Sequence, residues 1–195
     1  MKAILAFGPF AAYLPTASLA GLILLVAARM VDWNPDGMDL DEARFAVELA
    51  ETLLERFEDP DHGGFFFSDA GVDVPIARSM IFQDDATPAG NAIAVSALNR
   101  LGHLVGEPRY SAAAERCVRR ALAVAKQAPG GHASMALAMH ELISPAPHVI
   151  VGGQDDAACR ELKQWLDGFD RLDCYWLESP VDSLPGMLRD YRSDE

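Results

Sequence analysis

No charged residue lies between Lys2 and Arg29, so nothing in that stretch marks a water-facing side. The remaining charge begins at Arg29 and is predominantly acidic, leaving the chain at −13. A basic stripe is missing, which excludes nucleic acid as a partner, because phosphates need clustered Lys and Arg. The acidic balance itself reads as a solvated face. Cysteines are few: Cys117, Cys159 and Cys174, with no CxxC pair. That excludes a redox dithiol and a zinc knuckle, and predicts buried or half-buried thiols in a reducing compartment. The five histidines (His62, His103, His132, His140 and His148) form no HExxH and no close ligand spacing, so structural or surface roles are expected and no metal. Gly152-Gly153 follows a strand-like run, but neither GxGxxG nor GxxxxGK[ST] is present, and no cofactor is expected.

What is present divides the chain into four parts: 1–33, 34–38, 39–147 and 148–195. Ala3 to Ala28 is 26 uncharged residues, longer than the roughly 20 that span a bilayer as a helix. Its apolar character runs on to Val31, which fits a cleaved leader poorly. Pro9 and Pro15 would free backbone carbonyls that need partners from neighbouring helices. Tyr13-Leu14-Pro15-Thr16-Ala17-Ser18-Leu19-Ala20-Gly21, with Leu24 to Trp33 after it, resembles a membrane segment of the SulP anion permeases. The expectation is a hydrophobic helical segment that attaches the chain to a membrane through residues 3–30. Without such a function, the location is expected to be cytoplasmic.

Trp33-Asn34-Pro35-Asp36-Gly37 marks the boundary. Asp39 and Glu42 predict a capping box for a helix with Ala46, Ala50, Leu53, Leu54 and Phe57 inward. Phe65 to Ser68 and Val72 to Ile76, around Asp69-Ala70-Gly71, predict a small hairpin. Thr87 as cap and Pro88 at the first position predict a second helix carrying Ile93, Ala94, Ala97, Leu98, Leu101 and Val105. A third helix is expected from about Arg109 to Lys126, and a fourth from about Gly131 to Ile143. The strand-like runs at residues 148–153 and 172–177 flank a helical pattern over 155–169, with Ala158, Leu162, Trp165 and Leu166 inward. That order predicts a parallel βαβ unit before a polar tail.

The run Glu58-Asp59-Pro60-Asp61-His62-Gly63-Gly64-Phe65-Phe66-Phe67 is followed by Arg78 and then Asp84-Asp85-Ala86-Thr87-Pro88-Ala89-Gly90-Asn91-Ala92. With Pro129-Gly130-Gly131-His132-Ala133 and His148 to Gly152, it resembles the C-terminal part of a thioredoxin-domain-containing family, the one that includes the spermatogenesis-associated proteins. The resemblance covers about residues 39–190. It implies a mainly α fold, an α/α toroid of the six-hairpin glycosidase type similar to sugar epimerases, with the small βαβ unit at its C-terminal end. A closed toroid of six hairpins needs twelve helices, and only four long ones plus the βαβ helix are expected here. The expectation is therefore an incomplete toroid, a truncated or fused carbohydrate-enzyme-like fragment without a self-sufficient catalytic site. Its uncovered helical face would call for a protein partner, as in a membrane-anchored interaction module, or for self-association that completes a sugar-binding or epimerase-like enzyme.

The loop from Arg78 to Asn91 holds the candidate substrate-binding residues. Arg78, Asp84, Asp85 and Asn91 combine a cation, two carboxylates and an amide near a helix N-terminus, a set that can hydrogen-bond a sugar. Phe65, Phe66 and Phe67 are candidate stacking platforms. The competing expectation is structural: caps for Asp85 or Thr87, backbone satisfaction for Asn91, and core packing for the phenylalanines. Adjacent Asp84 and Asp85 are poorly placed to face one another across a glycosidic bond.

Overall fold

The computed structural model describes residues 40–71, 77–152, 157–166, 172–177 and 185–190. The hydrophobic segment, the junction at 34–38, Asp39 and the second run of the predicted hairpin lie outside the described residues. Within them the protein is mainly helical. The helices are α1 (Leu40–Arg56), α2 (Gly90–Val105), α3 (Pro108–Ala125) and α4 (Ala133–Ile143). Strands β1 (His148–Gly152) and β2 (Asp173–Leu177) flank α5 (Ala157–Leu166). Short 3-10 turns occupy Pro129–Gly131 and Gly186–Asp190.

Helix α2 is the centre of the array. Most of its circumference is buried, including Val95, Leu98, Leu101 and Leu104. A helix that is apolar on nearly all sides must be surrounded, and α2 packs against α3 and α4 with lesser contacts to α1. The predicted inward residues of α1 deliver Ala46, Ala50, Leu53 and Phe57 to the core, and α3 delivers Tyr110, Ala114, Cys117, Val118 and Ala121. Between α2 and α3 the chain turns through Gly106, at φ +70, whose N–H returns to the Gly102 carbonyl. This left-handed cap needs glycine, and Met187 from the last turn fills the space a Cβ would take. Glu107 then caps α3 by accepting from the Arg109 N–H, with Pro108 at the first position.

The second helix does not begin at Thr87-Pro88. It begins at Gly90, and its N-cap residue Ala89 makes no side-chain cap. The Ala89 N–H goes instead to Asp84 Oδ1 at 2.9 Å, so the capping carboxylate comes from five residues upstream. Thr87 is left at the surface, where its carbonyl accepts from the Asp85 N–H. Helix α4 likewise starts two residues later than predicted, because Pro129–Gly131 forms a separate 3-10 turn.

Strands β1 and β2 pair in parallel, His148 opposite Asp173 through to Gly152 opposite Leu177. Ile150 and Tyr175 lean on the helical core. On α5, Leu166 is buried as expected, whereas Leu162 and Trp165 are exposed, Trp165 by 62%. Among the described residues the sheet has two strands. None of the described helices is long and apolar enough to cross a membrane.

Candidate functional site

The Glu58–Phe67 run folds into a tight turn docked on α3. Asp59 accepts from the N–H groups of Asp61 and His62, while its own N–H goes to the Gly64 carbonyl. Its outer oxygen meets Arg120 at 2.6 Å, and the same guanidinium donates to the Gly63 carbonyl at 2.8 Å. Arg116 pairs with Glu58. Gly63, at φ +77, lies so close to α3 that a Cβ would stand 2.6 Å from the Arg116 carbonyl carbon. The Arg120 hydrogen bond, working against partial burial and helped by the two backbone donors, lowers the Asp59 pKa to about 2.

Phe65 and Asn91 form one unit. Asn91 Oδ1 accepts from the Phe65 N–H at 2.7 Å and from the Cys117 thiol at 3.3 Å. Its Nδ2 donates to the carbonyls of Phe65 at 3.0 Å and Ile81 at 2.9 Å. An amide side chain has two donors and two acceptor sites, so Asn91 is saturated. The Phe65 ring is buried in the core beside it. Cys117 is fully buried; desolvation, with the nearby Glu58 charge adding to it, pushes its thiol up to about 12. It is an inert donor.

Arg78 closes the other end of the loop. Its guanidinium donates to the Ser68 carbonyl through Nε at 2.9 Å and through Nη2 at 2.7 Å, and to the Arg56 carbonyl at 2.9 Å. It also lies over the Phe66 ring, 4.1 Å from the centroid. Phe67 is 47% exposed. Arg56 in turn pairs with the buried Asp69.

Asp84 sits where two helix N-termini meet. Besides the Ala89 N–H of the α2 start, it accepts from the Ser134 N–H at 2.9 Å and from the Ser134 hydroxyl. Burial works against its charge, yet these hydrogen bonds, with a further one from the Ala133 N–H, hold its carboxyl below the ordinary range. Negative charge is favoured at helix N-termini, and here one carboxylate serves both α2 and α4. Its neighbour Asp85 is exposed and makes no side-chain hydrogen bond to a described residue. The two carboxylates therefore have different environments, and Arg78 and Asn91 bond to groups other than those that hold Asp84.

A depression of about 510 Å³ lies elsewhere, lined by Glu51, Glu107, Tyr110, Met187 and Asp190 among others. Part of its polar wall is internally paired. Tyr110 donates to Glu51 at 2.6 Å, and Arg109 bridges Glu51 at 2.8 Å and Glu107 at 3.2 Å. Burial, reinforced by the Glu51 contact, pushes the Tyr110 hydroxyl well above its usual range. Sequence reasoning did not find this cluster, because Glu51 and Tyr110 are brought together only by packing.

One histidine expected to be structural or at the surface is buried. His132, the N-cap residue of α4, is only 3% exposed. Its Nδ1 stands 2.8 Å from the Ala128 carbonyl. No family model matches this sequence, and no curated protein matches it.

Proposed function

We propose that the chain is a partial α/α toroid of the carbohydrate-enzyme type that does not by itself carry a working catalytic site. One observation carries this reading: Asn91, Arg78 and Asp84 are engaged by backbone groups of Phe65, Ile81, Ser68, Arg56, Ala89 and Ser134 and by the Cys117 and Ser134 side chains. They hold the loop to the helices instead of presenting a constellation to a substrate. The helical hairpin of α2 and α3, flanked by α1 and α4, is the kind of unit an α/α toroid repeats. The full-length chain, incubated with monosaccharides and N-acetylated sugars, is expected to show neither epimerisation nor hydrolysis. Turnover that disappears in Asp85→Asn would overturn the reading.

A second reading has its own support. Helix α4 buries Met135 and Ala138, but Leu137 is 67% exposed and Ile143 72%. Exposed apolar side chains of this kind suit an interaction module held at a membrane by residues 3–30, with a protein partner or a second copy on α4. Retention of the chain in membranes after a high-pH carbonate wash supports that reading, and complete release removes it. Size-exclusion elution that shifts with concentration would identify the second copy as the occupant.

A further inference from the structure

We draw no further inference here: the strongest candidate, the depression lined by Glu51, Glu107, Tyr110 and Asp190, is an acidic cluster in which Arg109 already holds Glu51 and Glu107 and Glu51 holds the Tyr110 hydroxyl, and nothing among the described residues points to a ligand there.

Discussion

The two flanks of the central helix are finished differently. On the α1 and α3 side, acidic residues of α1 and the following turn meet arginines of α3 in sequence order: Glu51 with Arg109, Glu58 with Arg116, Asp59 with Arg120. That ladder runs with α1 and α3 side by side, and aromatic residues close the core beneath it. On the α4 side Arg100 pairs with Glu141 and Asn99 donates to the Glu141 carbonyl, tying the helix to α2, and Leu137 and Ile143 are exposed. One flank has its polar groups matched to the body of the protein. The other, beyond the Asp84 contact at its first turn, retains exposed apolar side chains.

The largest expected effect comes from cutting into the matched flank. Asn91→Ala leaves the backbone groups of Phe65 and the Ile81 carbonyl without partners, and should destabilise by about 3 kcal/mol in a denaturant melt. A loss below about 1 kcal/mol would mean that water replaces the amide and the flank is less closed than its geometry indicates. Gly63→Ala comes next, at about 2 kcal/mol, because the new methyl collides with the α3 backbone and must adopt a positive φ. Acid should weaken the same flank. The Asp59 pKa is lowered in the folded state, so its stabilising contribution is complete above the ordinary aspartate range and is lost as pH falls through that range toward about 2. Melts between pH 5 and pH 2 (conditions chosen to bracket that change) should show this loss, and Arg120→Ala should flatten it. The smallest effect belongs to the other flank. Leu137→Glu and Ile143→Glu should each change stability by no more than about 0.5 kcal/mol. They should nonetheless abolish concentration-dependent association if α4 is the contact surface. A large destabilisation would instead mean that this face is already covered within the chain.

The helical part was legible because its periodicity is simple. Ala46, Ala50, Leu53 and Phe57 recur on one face of α1, and the same face is buried. The parallel pairing of β1 with β2 was legible from strand, helix, strand order. The start of α2 was not. Thr-Pro is a good local opening, but Asp84 reaches the Ala89 N–H and also Ser134, and a contact over 50 residues leaves no periodic trace. The exposure of Trp165 failed for a related reason: an apolar stripe on a short helix does not reveal how wide a surface it has to cover. The sequence marked Arg78, Asp84 and Asn91 as candidate substrate-binding residues, with a structural role as the competing expectation. It could not distinguish a hydrogen-bond hub from a ligand contact, since both require polar side chains in a loop. Asn91 became interpretable only when all four of its partners were visible.

The shared carboxylate of Asp84 has a consequence for how the chain can change length. Because it caps α2 at Ala89 and meets the first turn of α4 at Ser134, both loops leading to these helices are measured from the same point. An insertion just after Asp84 would displace its oxygens from one helix, and an insertion at Gly130 would displace the other helix from them. The lengths of segments 77–89 and 127–132 are thus bound together as a pair.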